Sequence, residues 1–172
     1  MIDIFNPQEE APTDAEILSF WRMVFAPEMM VWEYEDDSAF GAKTDEQALA
    51  FARTEMLPNP RTIACWARTE GRVVGMASLS RATEPYRSHI AEIGYCASPD
   101  FRRRGVGTSL VRDVINRGRD AGLRRIECSC LADNVASIAL LRRAGFAEEG
   151  LQRAAVLKDG VLRDIRLFGL LL

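Results

Sequence analysis

The sequence predicts a single mixed α/β domain built around one sheet, and three observations carry that prediction. Helical and strand-like apolar patterns alternate along the chain, which closes on two strand-like runs around a turn. At 172 residues with 48% hydrophobic and 27% charged side chains, the chain can bury one ordinary core, whereas two separate domains would each be small. A strand, a helix opening at Gly105 and another strand follow one another, a crossover that sets two strands parallel within an otherwise mostly antiparallel sheet.

The elements follow in order. In "PTDAEILSFWRMVFA" a proline and a capping Thr13 or Asp14 precede Ile17, Leu18, Trp21, Val24 and Phe25 at helical spacing. A second helix follows the capping Thr44 and stops at Pro58. "TIACWART" and "RVVGMASLS" are strand-like runs joined by Glu-Gly, a hairpin signature. "HIAEIGYCASP" is a further strand ending at Pro99. From Gly105 to Ala121 the spacing predicts a helix with Val106, Leu110, Val111 and Val114 inward, ended by Gly122. "RRIECSCLA" is strand; "NVASIALLRRA" is a helix capped by Asn134 and closed by Gly145; the remainder gives two strands around "KDG". About four helices therefore flank the sheet.

Composition narrows the classes. No run of eighteen uncharged apolar residues occurs, and the start "MIDIFNPQEEAPTDAE" is acidic where a secretory signal is basic, so a cytoplasmic protein without a membrane partner is expected. Cys65, Cys96, Cys128 and Cys130 follow neither zinc nor redox spacing; "CSC" puts two on one strand face, which reads as buried free thiols and no metal. The net charge of −3 hides an asymmetry, since residues 1–50 hold 12 acidic and 2 basic side chains. An acidic chain with its cations gathered at one loop argues against a nucleic-acid surface and for a small anionic ligand. The acidic run 33–37, "EYEDD", reads as a solvated loop or as an attractor for a cationic substrate.

That loop is "SPDFRRRGVGTSL", after a strand and before a helix. Helix N-termini offer unpaired amides and positive potential, so arginines and glycines there make a phosphate site. A mononucleotide P-loop requires a lysine, which is missing, and a dinucleotide fingerprint requires a third small residue where Leu110 stands. The pattern Arg-x-x-Gly-x-Gly, met by Arg102, Gly105 and Gly107, resembles that of the GNAT superfamily of N-acetyltransferases. Its later segment is matched at Asn134, Ser137, Leu140, Gly145 and Phe146, so the resemblance covers roughly residues 61–172. Residues 1–60 share only a pair of helices with the family; there the resemblance implies a variable acceptor-side part of one N-acetyltransferase domain.

The resemblance implies a GNAT fold whose central parallel pair is splayed by a bulge, with acetyl-CoA as cosubstrate and no metal. The pyrophosphate is expected on the amides of Arg103, Arg104, Gly105, Val106, Gly107 and Thr108, with Gly105 and Gly107 sparing it a Cβ. Arg102 or Arg104 would reach a phosphate. The pantetheine arm is expected along Tyr95, Cys96, Ala97 and Ser98, with Asn134 and Ser137 on the opposite lip and the carbonyl held by an amide near Cys96 or Ala97. The acceptor would be a primary amine of a small molecule or a protein N-terminus, as in bacterial members acting on amino acids, phosphinothricin-like compounds or ribosomal proteins; a homodimer is compatible with this. Glu92, between Ala91, Ile93 and Gly94, is the candidate base, its carboxyl expected to be partly desolvated and its pKa raised. A cross-strand ion pair is the structural alternative, and His89 is the rival base. Cys96 as a nucleophile lacks a histidine to activate it. Leu141 stands where many members carry a proton-donating tyrosine, which leaves Tyr95, Tyr86 or a water for that role. It is also the one feature favouring a CoA-binding module without turnover; ATP binding by "RRRGVG" is the remaining alternative.

Overall fold

The computed structural model describes residues 2–26, 42–158 and 160–172, so the acidic run 33–37 lies outside the described residues. Four α-helices and seven strands are present among them. Strand β1 spans Asp3–Phe5 and helix α1 Asp14–Val24. Thr13 caps α1 in a full capping box with Glu16, which satisfies two backbone donors reciprocally. Helix α2, Asp45–Phe51, has the same box from Thr44 and Gln47 and continues as a π-turn over Ala52–Met56 before Pro58.

Strands β2, Thr62–Thr69, and β3, Arg72–Arg81, form the expected hairpin. Its turn needs positive φ at both Glu70 (51°) and Gly71 (72°), a geometry matched to strand twist. Strand β4, Ile90–Ala97, leads through a short 3-10 turn to helix α3, Val106–Asp120. Then come β5, Arg125–Leu131, helix α4, Val135–Arg143, and the terminal hairpin of β6, Ala147–Lys158, with β7, Val161–Leu171. All seven strands form one sheet in the order β1-β2-β3-β4-β5-β7-β6. Only β4 and β5 run parallel, joined by the α3 crossover.

One face of the sheet is covered by α3 and α4. Val106, Leu110, Val111 and Val114 are buried there against Leu79, Ala91, Ile93 and Ile126, as the helical spacing requires. Each such side chain contributes about 1.5–3 kcal/mol on burial. On the opposite face Phe20 of α1 stacks on Trp66 at 4.2 Å, and Phe5 meets the same ring edge-on at 6.1 Å. Within α1 the inward residues are Ile17, Phe20, Trp21 and Met23, while Leu18, Val24 and Phe25 are only half-buried. The helical stripe is therefore rotated from the expected one, because Trp66 and Val73 accept Phe20 and Met23.

Candidate active site in the split between two parallel strands

Strands β4 and β5 pair at Ile90↔Arg125, Ala91↔Ile126 and Glu92↔Glu127, and no further. Beyond Glu92 each strand stays with its outer neighbour: β4 follows β3 to Ala97, and β5 follows β7 to Leu131. A cleft of about 340 Å³ opens between them. Ile93 and Tyr95 form one wall and Cys128 and Cys130 the other, with Asn134 and Ser137 of α4 at the lip. The bulge expected in β4 is not found, since the β3–β4 register runs unshifted from Gly75↔Ala97 to Arg81↔Ala91. The split is a divergence of two intact strands, each anchored on its far side.

The same register fixes which backbone groups face the cleft. Ser98 N–H donates to Val74 O at 2.9 Å and Ala82 N–H to Ile90 O at 3.1 Å, so even-numbered β4 residues hydrogen-bond to β3. In an antiparallel ladder the intervening residues point the other way. The C=O of Ile93, the N–H and C=O of Tyr95 and the N–H of Ala97 therefore face the split, ready to pair with an extended ligand, whereas the last parallel pair takes Ile93 N–H to Glu127 O and Arg102 Nε donates to Ala97 O. The expected run Tyr95 to Ser98 is corrected accordingly: the amides of Cys96 and Ser98 bond to β3, and Ile93 adds only its carbonyl to the set.

At the far end of β4 the chain turns through Pro99–Phe101 into α3. Gly105 is the N-cap in the left-handed region (φ 83°, ψ −6°), and no side chain caps the helix. The first helical bond is Ser109 N–H to Gly105 O, leaving the amides of Val106, Gly107 and Thr108 ahead of it. Gly105 is required for its positive φ, with nothing within 4 Å of where a Cβ would stand. Gly107 serves packing, since a Cβ there would lie 3.2 Å from Leu140 Cδ1 of α4. Arg102, Arg103 and Arg104 are all exposed; Arg102 Nε reaches Ala97 O at 3.4 Å, and Arg104 lies over the Phe101 ring at 5.4 Å.

Glu92 stands at the vertex, the last residue before the strands part. It is exposed, because alternation sends its side chain away from Ala91 and Ile93, which face the core. The expected desolvation is therefore not present. The cross-strand alternative is not formed either: Arg87 and Arg125 bind Glu127 at 2.8 and 2.9 Å, and Glu92 pairs with no described residue. His89 is exposed at the closed end, where its carbonyl accepts from Arg124 and Arg125 N–H. Tyr86 is 78% exposed outside the cleft, whereas Tyr95 OH meets Ser137 Oγ at 2.5 Å within its wall. Burial raises the Tyr95 phenol well above its ordinary value, against a lowering contribution from Ser137, so it stays protonated. Burial likewise pushes the Cys96 thiol up to about 12, which leaves little thiolate near neutral pH. Leu141 is fully buried in the core, so its apolar character is a matter of packing.

Asn134 caps α4 by accepting from Ser137 N–H at 3.1 Å, and its place fixes the Ser137 hydroxyl against Tyr95. Sequence reasoning missed Ser78, Ser80 and Ser129, which line the open face beside Glu92, and Cys128 and Cys130 as cleft walls. Their strand alternation was visible in the sequence; their proximity depends on the strand order.

A strand pair split at one end, running into a glycine-opened helix terminus, is the framework of the site, and the comparisons with known proteins place the chain in a family. Residues 9–146 match the model of the Acetyltransferase (GNAT) family, and the chain belongs to that family. It is 34% identical over 104 residues to the L-amino acid N-acetyltransferase AaaT of Escherichia coli (strain K12), covering 59% of this chain and 62% of that protein. It is 34% identical over 99 residues to the N-alpha-acetyltransferase RimI of Mycobacterium tuberculosis (strain ATCC 25618 / H37Rv), covering 56% and 60%. The chain thus spans about 60% of the length of these curated relatives. Among solved structures, a GNAT superfamily phosphinothricin acetyltransferase from Sinorhizobium meliloti in complex with AcCoA superposes with a TM-score of 0.78 at 21% identity, over 99% of this chain and 88% of that one. The fold is accordingly the mixed, splayed sheet that the sequence predicts.

Proposed function

We propose that this protein transfers an acetyl group from acetyl-CoA to a primary amine by direct attack in a ternary complex. The observation that carries the reading is the continuity of the split with the uncapped start of α3: the gap-facing carbonyl of Ile93 and amides of Tyr95 and Ala97 lead to the unpaired amides of Val106, Gly107 and Thr108. An extended pantetheine arm fits the first set, and a pyrophosphate fits the second. Arg102 or Arg104 supplies a cation for a phosphate, within the loop that they border. Asn134 and Ser137 form the opposite lip. Relatives of this chain are named as an L-amino acid N-acetyltransferase and an N-alpha-acetyltransferase, and one structural neighbour holds AcCoA, which supports the same donor here.

In this reading a gap-facing amide, Tyr95 or Ala97, donates to the thioester oxygen as charge develops on it. Glu92, unpaired at the vertex, takes the proton from the attacking amine directly or through a water. The leaving sulfur receives a proton from Tyr95 or from water. Cys96, held as a thiol, stays out of the reaction, so no acyl-enzyme forms. The protein acts in the cytoplasm, as one domain whose helices α1 and α2 belong to the acceptor side, and it uses no metal and no nucleic acid. The test is to incubate the protein with acetyl-CoA, a panel of amines and a thiol reagent. Amine-dependent release of CoA is expected; binding of CoA with no release on any amine would instead mark a module without turnover.

A further inference from the structure

The acceptor side of the cleft offers one kind of charge. Among the described residues that line it, Glu92 brings the only full charge, and no lysine, arginine or histidine is present. Of the nearby arginines, Arg87 and Arg125 bind Glu127 at 2.8 and 2.9 Å, Arg81 binds Ala121 O at 2.8 Å, and Arg166, opposite Cys130 on β7, binds Glu148 and keeps its remaining Nε buried. Ser80 pairs across β3–β4 with Glu92, Ser78 with Gly94, and Ser129 faces them from β5. None of these three hydroxyls hydrogen-bonds to a described residue, and Gly94 between them has no side chain to fill the floor.

We infer that the acceptor is a small primary amine without a carboxylate, carrying hydroxyl groups or a second ammonium, and that a free amino acid is a poor substrate. The inference rests on the acetyl-transfer reading and names the acceptor class for it. An ammonium finds the Glu92 carboxylate, and hydroxyls or further N–H groups find Ser78, Ser80 and Ser129. An α-carboxylate sits one carbon from the amine, so it would be carried toward Glu92, and among the described residues no cation lines the cleft to receive it. Placing a charge against a like charge without a partner is costly, and more so away from bulk water. This departs from AaaT, which is named as an L-amino acid N-acetyltransferase.

Three matched amines test it: ethanolamine, L-serine, which adds the carboxylate, and L-serinamide, which adds its bulk without its charge. Their binding to the full chain loaded with CoA is followed by ligand-observed NMR at one pH where all three amines are protonated, and their kcat/KM is measured with acetyl-CoA. Ethanolamine and serinamide are expected to exceed serine at least about tenfold in both, the scale that loss of a charge partner sets. Glu92→Gln should shrink that gap in binding. The inference is overturned if serine binds or reacts as well as ethanolamine, or if none of the three binds. Should CoA itself fail to bind, the donor reading falls, and the ranking of the three amines on the unloaded protein still decides the acceptor class.

Discussion

The two ends of the β4–β5 pair are made of the same strands and behave as opposites. At the closed end, Ile90 to Glu92 lie in register with Arg125 to Glu127, and the surrounding charges are saturated: Arg87, Arg125, Glu127 and Glu149 form one connected network. At the open end the carbonyl of Ile93, the backbone of Tyr95 and the amide of Ala97 turn toward a gap, and the carboxylate of Glu92 pairs with no described residue. Pairing spends hydrogen-bonding capacity on stability, and ending the pairing reserves that capacity for a ligand. The lesson is that the site is built by where a ladder stops rather than by an added element. Outer neighbours make this affordable, because β3 and β7 hold β4 and β5 past the point of separation.

The largest expected effect lies at the vertex. Glu92→Gln preserves size and polarity and removes the base, so kcat should fall by about 10² to 10⁴ with acetyl-CoA affinity unchanged. The wild-type rate should climb with pH through an ionisation that the variant lacks, once the titration of the amine itself has been subtracted using acceptors of different pKa. A normal kcat in the variant would return Glu92 to the closed, structural end of the comparison.

Next in size is a contrast between the two ends of α3. Gly105 (φ 83°) and Gly122 (φ 79°) both need positive φ, and neither would bring a Cβ within 4 Å of another group. Valine at either position costs about 1–3 kcal/mol of backbone strain and should lower the melting temperature similarly. Only Gly105→Val should also weaken acetyl-CoA, at least about tenfold, or about 1.4 kcal/mol. Equal CoA affinities in the two folded variants would remove the phosphate role from the start of α3.

How much of this could be read from the sequence depended on how local the cause was. The caps at Thr13, Thr44 and Asn134 and the left-handed glycines act within a few residues, and they stand where the pattern places them. Strand β1 escaped notice because Asp3–Phe5 is too short for a period and exists through pairing with Trp66 to Arg68. Gly107 reads as clearance for a ligand in the sequence, and the structure adds a second constraint that only the packing shows: a Cβ there would lie 3.2 Å from Leu140 Cδ1 on another helix. Glu92 shows the opposite case: its apolar neighbours in sequence are not its neighbours in space, as strand alternation alone implies. The serines of the open face become a site only once β3, β4 and β5 are known to adjoin.

Smaller effects should follow from the bond across the lip. Tyr95→Phe and Ser137→Ala each remove the 2.5 Å contact between β4 and α4, and each should cost about 0.5–1.5 kcal/mol in stability, with the double variant losing little more than either single one. Fully additive losses in melting experiments would show that the two hydroxyls act separately. Smaller still is the contribution of the exposed arginines of the loop. Acetyl-CoA should bind a few-fold more weakly as salt rises, and more steeply than a desphospho analogue if Arg102 or Arg104 holds the 3′-phosphate. Equal salt slopes would withdraw that role.

The central claim, that the open end of the strand pair and the start of α3 form one continuous donor site, is tested most directly by amide hydrogen exchange with and without acetyl-CoA. Protection should appear together in peptides covering residues 93–97 and 105–108, with residues 125–127 of the closed end unchanged. Protection confined to one of the two segments, or appearing only elsewhere in the chain, would contradict it.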